Sequence, residues 1–257
     1  MAIQLHNVIR NADHLPSRME MKFFIVPARI EFAYGVLRHA CPPASEYACE
    51  QINSIYFDTA DLDQHDRSLA GDLRKDKVRI RWYGNEQDAK GLQTVFLELK
   101  SRDGFASFKQ RLELSVPVER LELKRLGEGI VTKTLLYDTL ADFGYLPPAP
   151  LQPIIKISYR RHRFIEVFSG KSVALDSNIR STCLAGSIGN GENNLKLPGA
   201  VIELKGSGID LPLTLKGLQL LDVDWSRFSK YSSCLEAHME ISGATGRLSP
   251  SGKITQI

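Results

Sequence analysis

The 257-residue sequence has few cysteines, no long apolar run and almost no excess charge. Its four cysteines, Cys41, Cys49, Cys183 and Cys234, form no CxxC pair and no zinc-site spacing, which excludes a metal-stapled fold. The first residues carry no apolar leader, so these thiols are expected to be reduced, in a cytoplasmic protein. No stretch reaches the ~18 apolar residues of a membrane-spanning helix, and any membrane role would need a membrane-protein partner. The six histidines are scattered without an HExxH motif, and no Ser–His–Asp or Cys–His set accompanies them; all six read as non-catalytic. A net charge of +3 excludes the broad basic footprint of a nucleic-acid binder. Any grip on an anion must come from clustering of charge.

What is present is an ordinary globular composition, 43% apolar and 25% charged, sufficient for a sizeable core. Apolar residues recur mostly with period two, the signature of strands. Strands are expected at 18–26, 52–57, 77–83, 93–100, 107–116, 154–167, 171–175 and 200–205. Ser101-Arg102-Asp103-Gly104 reads as a hairpin turn. Helical patterns occupy 28–40, 118–143 with a break near Gly127-Glu128-Gly129, 211–221 and 229–241. A proline-rich stretch at 146–153 reads as a linker, and 186–194 as a surface loop of turn formers. The expected class is α+β, a closed antiparallel β-barrel of about eight strands with helices packed around it.

Residues two apart on a strand share a face, and here the polar faces are charged in a repeated way. Glu20 and Lys22 share one; Arg79 and Arg81 stand opposite Val78, Ile80 and Trp82; Glu98 and Lys100 stand opposite Leu97 and Leu99. Lys109, Arg111 and Glu113 repeat the pattern, as do Tyr159, Arg161 and Arg163, and finally Glu203 and Lys205. On a single strand such a face is ordinarily just solvated. Across six strands, apolar faces packed outward would make the charged faces converge inside a barrel just wide enough for one small ligand. So many buried cations need a polyanion, and the interspersed carboxylates call for a hard divalent cation. Arginine suits phosphate because its planar fork bonds two oxygens at once.

In order along the chain stand RMEMKFFI, NSIYFDTADLD, LRKDKVRIRWYG, FLELKSR, FKQRLEL, KISYRRHRF, VALDSNI, VIELKGSG and FSKYSSCLEA. Together they resemble the catalytic domain of the vacuolar transporter chaperone (VTC) polyphosphate polymerases, within the triphosphate tunnel (CYTH-like) superfamily. The match runs from Arg18 to about Glu240, giving an N-terminal extension (1–17), one tunnel domain (18–241) and a disordered tail (242–257). The resemblance implies a phosphate grip by Lys22, Arg79, Arg81, Lys100, Lys109, Arg111, Arg161 and Lys230. It implies substrate contacts at Tyr159 and Ser229, to which alternation adds Lys205, Glu20 and Glu98. Glu203 is the implied anchor for Mn²⁺ or Mg²⁺, with Glu113 as a second carboxylate. Asp176 fits a structural turn and a ligand role equally, and Arg160 faces away from Arg161.

The implied activity is transfer of the γ-phosphate of ATP to a growing inorganic polyphosphate chain. The alternatives are a triphosphatase acting on tripolyphosphate or an organic triphosphate, and a non-catalytic polyphosphate-binding module. Phosphoryl transfer asks for positioning and charge neutralisation more than for a covalent nucleophile, which suits a chain without a nucleophile–base set.

Overall fold

The computed structural model describes residues 4–9, 19–84, 91–104, 106–122, 130–186, 188, 194–208, 210–221, 228–242 and 255–256. Its centre is one antiparallel sheet. The strands are β1 (Gln4–Ile9), β2 (Met19–Ile25), β3 (Cys49–Asp58), β4 (Arg74–Tyr83), β5 (Leu92–Asp103) and β6 (Ala106–Pro117). They continue with β7 (Gln152–Ile165), β8 (Ser172–Cys183), β9 (Asn194–Lys196), β10 (Ala200–Gly206) and β11 (Thr255–Gln256). The hydrogen-bonded order is β1-β6-β5-β4-β3-β7-β8-β10-β2, with β9 attached to β8 and β11 to β9. The path is not closed by hydrogen bonds: β1 and β2 are its two ends. The sheet curls instead, and side chains of β2 reach β5 across the concave side.

Five α-helices accompany the sheet among the described residues: α1 (Ile30–Ala40), α2 (Asp63–Ala70), α3 (Glu119–Glu122), α4 (Lys133–Asp142) and α5 (Lys230–Ser242). Alternation sends Val78, Ile80, Trp82, Leu97, Leu99, Leu112 and Leu114 to the convex face, where Leu136, Leu140 and Phe143 cover them. On the same principle Met21, Phe23, Ile25, Ile202 and Leu204 pack under Ala33 and Leu37 of α1, joined by Leu215 and Leu218. Helix α5 differs. Its Tyr231, Cys234 and Leu235 pack with Ile52, Tyr56, Tyr159 and Val201, residues whose alternation places them on the concave face. One part of the curl's interior is therefore filled by a helix, and the remainder is left to the charged faces.

The structure corrects several sequence expectations. The hairpin turn moves past 101–103, because β5 runs to Asp103 and pairs with Ala106, leaving Gly104 at φ +57°. The short strand expected at 171–175 extends to Cys183. Its period is broken where Asn178 takes φ +52° and the register against β7 shifts between Ser158 and Arg160. Strand β7 begins at Gln152, inside the stretch expected as a linker. Residues 213–221 wind as a 3₁₀ helix rather than an α-helix. Of the 118–143 segment the structure describes α3 and α4, and the expected break at 127–129 lies outside the described residues. At the chain ends β1 pairs with β6 and β11 with β9. No described helix is long and apolar enough to cross a membrane.

Candidate functional site: a cation-lined cavity in the concave sheet

The charged faces of five strands, β2, β4, β5, β7 and β10, meet in one cavity, joined by Tyr56 of β3. The charged face of β6 does not reach it, and the amino-terminal turn of α5 forms part of the wall. Glu20 and Lys22 come from β2, Tyr56 from β3, and Lys77, Arg79 and Arg81 from β4. Lys100 comes from β5, Tyr159 and Arg161 from β7, and Glu203 and Lys205 from β10. Ser229, Lys230 and Tyr231 close the ring. The lining thus holds eight cationic side chains against two carboxylates. A cavity so biased attracts anions and holds them in a medium where each charge acts more strongly than in water.

Most of these cations are held in place by neighbours. Arg79 bonds Glu98 through Nε at 2.8 Å and Nη2 at 2.7 Å, and Nη1 donates to the Tyr56 hydroxyl at 3.2 Å. Arg81 donates to Ser54 Oγ at 3.1 Å and to the Tyr159 hydroxyl at 3.3 Å. Arg161 grips Asp176 with two bonds, 2.6 and 2.7 Å, and lies 3.5 Å from Glu203. Lys230 sits 2.5 Å from Asp176 and 4.7 Å from the centre of the Tyr159 ring. Lys205 pairs with Glu203 at 2.6 Å, while Lys22 and Lys100 share Glu20 at 3.0 and 3.1 Å.

This surplus of cations governs the acids. Burial alone would raise the Glu20 carboxyl, but the ammoniums of Lys22, Lys100 and Lys205 outweigh it and hold it at about 2. Burial is likewise overcome at Glu203 by Lys205 and Arg161, which keep it well below the usual carboxylate range. At Asp176 burial is outweighed by Lys230 and Arg161. Every carboxylate of the site is an anion at neutral pH.

Eleven of the residues expected in the site from sequence line this cavity: Glu20, Lys22, Arg79, Arg81, Lys100, Tyr159, Arg161, Glu203, Lys205, Ser229 and Lys230. Four stand back from it. Glu98 lies behind Arg79, and Lys109 is 2.5 Å from Glu98. The Arg111 guanidinium sits 4.7 Å above the Phe96 ring. Glu113 is across the ladder from Phe96, which itself stands opposite Arg81, so an aromatic ring separates Glu113 from the cavity wall. Arg160 points outward, its Nε 3.2 Å from Cys49 Sγ. Asp176 belongs with the cations: it is fully buried and anchors two of them.

Sequence reasoning passed over Lys77, Tyr56 and Tyr231. Lys77 carried a signal, since it lies two residues before Arg79 on the same alternation. Ser54, Tyr56 and Asp58 likewise alternate within SIYFDT, and each holds a part of the site. Ser54 and Tyr56 orient the two arginines. Asp58 accepts from the amides of Gln64 and His65 at the start of α2, and from the Tyr231 hydroxyl at 2.7 Å. Tyr231 in turn stacks on Tyr56, ring centres 5.0 Å apart.

Glu203 and Glu20 are diagonal neighbours across the β2–β10 ladder, since Glu203 faces Lys22 and Lys205 faces Glu20. Two hard oxygen donors suit Mg²⁺ or Mn²⁺ in the manner of phosphate-transfer sites, where phosphate and water complete the coordination. Among the described residues no group of three or more His, Cys, Asp or Glu forms a cage able to hold a metal alone. The donor set fits a cation that arrives with its phosphate.

An open antiparallel sheet curled around a cation-lined cavity makes this an α+β protein with a concave, cationic site. The particular family follows from the sequence profile of the VTC domain, which matches residues 17–239; the chain belongs to the VTC domain family. No curated protein matches the sequence. Among solved structures it is similar to a protein provisionally titled an adenylate cyclase from Bacillus halodurans, at 14% identity and a TM-score of 0.43. That alignment covers 92% of this chain and 94% of the other. A second protein with the same provisional title, from Vibrio parahaemolyticus, aligns at 11% identity with a TM-score of 0.36, covering 87% of this chain and 86% of that one.

Proposed function

We propose that the chain is a polyphosphate polymerase, moving the γ-phosphate of ATP onto the end of an inorganic polyphosphate chain within the cavity. The observation that carries this reading is the lining itself, eight cations against two carboxylates, in a VTC-domain chain. In this reading the curl is the wall of a triphosphate tunnel. Arg79, Arg81 and Arg161, each oriented by side-chain partners, bind and align the phosphate oxygens. Lys22, Lys100, Lys205 and Lys230 spread compensating charge along the chain as it passes, and Lys109 and Arg111 reinforce the wall from behind. Ser229 and Tyr159 orient the ligand from the α5 side. Glu203, with Glu20, would hold Mg²⁺ or Mn²⁺, which when bound neutralises charge developing on the transferred group. The acceptor phosphate is itself the nucleophile, so no side chain need supply one.

The test is incubation of the purified protein with ATP and Mn²⁺. The expected products are ADP and long-chain polyphosphate. Replacing Lys22, Arg79, Arg81 or Glu203 individually with Ala is expected to lower the rate by about 10²-fold or more, the usual scale for one preorganised charge. Free phosphate with no chain growth would replace this reading with a triphosphatase. Binding without turnover would leave a polyphosphate-binding module.

A further inference from the structure

Nearly every cation of the cavity has an anion of its own. Lys22 and Lys100 share Glu20, Lys205 has Glu203, Lys230 has Asp176, Arg161 spans Asp176 and Glu203, and Arg79 has Glu98. Two lining cations lack a carboxylate within ion-pair distance among the described residues. Arg81 contacts Ser54 and Tyr159, and Lys77 donates from Nζ to Ser229 Oγ at 2.8 Å. Arginine keeps its charge whatever surrounds it; a lysine does not.

The register explains why Lys77 stands apart. Lys77 pairs directly with Lys100, and Lys100 with Lys109, so three adjacent strands present one row of lysines. Like charges placed directly opposite repel. Lys100 and Lys109 are offset by Glu20 and Glu98, whereas Lys77 meets cations: Lys22 of β2, Lys100 of β5, and Arg79 and Lys75 of its own strand. From α5 it meets the Ser229 hydroxyl and the ring of Tyr231, 5.9 Å from its Nζ.

We propose that Lys77 is a further phosphate-binding residue of this cavity, and that a phosphate chain entering it draws a proton from solvent onto Lys77 Nζ. This rests on the phosphate-binding reading above and adds the residue that changes charge when the site fills. Burial, helped by Lys22, Lys100 and Arg79, pushes the Lys77 ammonium down to about 7, so near neutral pH a share of molecules carries a free amine there. The incoming polyanion supplies the counter-charge that the protein withholds, and the amine becomes an ammonium facing phosphate oxygen. Of the titrating neighbours, Lys100 is lowered by burial only to about 8, because Glu20 opposes the shift, and Glu20 itself stays ionised. Phosphate affinity therefore rises as the pH falls from 8 towards 6, by linkage between the bound proton and the bound anion.

Isothermal titration of inorganic tripolyphosphate into metal-free protein at pH 7.5, repeated in buffers of different ionisation enthalpy, counts the protons taken up. The ligand's own titration enters equally for every protein, so differences between variants belong to the side chain. Lys77→Arg, whose charge is permanent, is expected to bind within about threefold of the native protein. It should take up fewer protons by roughly half a proton or more. Equal uptake by both proteins overturns the proposal while leaving phosphate binding intact; no binding by the native protein overturns both. Should Lys77→Arg not fold, the native protein labelled with ¹³C-lysine provides the second measurement. A resonance assigned to Lys77 that titrates near neutrality, below that of Lys100, and moves above pH 9 with tripolyphosphate supports the inference; a Lys77 resonance already above 9 in the free protein overturns it.

Discussion

Glu98 has no exposed surface, and each of its oxygens faces a cation, Arg79 at 2.7 Å and Lys109 at 2.5 Å. Alternation placed it on the charged face, and sequence could go no further. Whether a residue on that face touches ligand or stands behind the residues that do is decided by register. Here Glu98 is paired directly with Arg79 on one side and Arg111 on the other. The same holds for Glu113, whose isolation from the cavity depends on Phe96 occupying the intervening row. Glu98 is thus better placed as a counter-charge than as a ligand contact. Glu98→Gln keeps the shape, removes the charge and leaves Arg79 buried without its anion, a change that costs about 3 kcal/mol or more when a buried pair is broken. Urea denaturation should show that loss. In a double-mutant cycle with Arg79→Gln the two losses should fall short of additive by about 1 kcal/mol or more. A loss below about 0.5 kcal/mol, the scale of an ordinary surface change, would mean that Glu98 does not serve as the counter-charge.

At the scale of elements, legibility followed periodicity. The strands β2, β4, β5 and β6 were readable because one face of each repeats an apolar residue at every second position and packs into the core. Strand β3, buried on both faces, was readable from its run of β-formers. Helix α2 was not, since DQHDRSLA has no apolar stripe of its own. It is tied down from outside: Leu62 enters it at φ +61°, and the buried Asp58 carboxylate accepts from Thr59, Gln64 and His65 amides as well as from Tyr231. Helix α5 was legible as a helix, but its seat inside the curl was not, because that depends on Tyr231 meeting Tyr56 and Asp58, far away in sequence. Asp58→Ala would orphan the α2 amides and the Tyr231 hydroxyl together, a loss of about 2–4 kcal/mol from a cap and a buried hydroxyl. Hydrogen exchange at the Gln64 and His65 amides should accelerate in step. Tyr231→Phe removes one of these bonds and should cost about 1 kcal/mol while leaving both amides protected. If Asp58→Ala leaves them equally protected, packing rather than the carboxylate holds α2.

For the whole molecule, the open ladder matters because β2 and β5 are not neighbours in it, yet Glu20 and Lys100 join them across the cavity at 3.1 Å. The curl is thus supported by the same charges that make the site, together with α5 packed into its concave side. Acid acts on both supports, in sequence. His238 of α5 is buried, its Nε2 3.1 Å from Ser181 Oγ, and burial holds its pKa at about 4, below the ordinary 6.5. The unfolded chain accepts that proton near 6.5 while the folded chain resists it to about 4, so unfolding takes up a proton between these values. Stability is therefore full above pH 6.5, falls as the pH drops through that window, and levels off below it. Glu20 follows: its carboxyl, held at about 2 against an ordinary 4.5, contributes stability present above 4.5 and lost as the pH falls towards 2. The urea midpoint should accordingly drop between pH 7 and pH 5, before any carboxylate of the cavity is protonated. His238→Gln can still hydrogen-bond Ser181 but cannot take the proton, so it should shrink that drop, leaving the share of His162, which burial also holds below 6.5, and the loss below pH 4. An unchanged drop in His238→Gln would mean that the first acid-sensitive support is not α5.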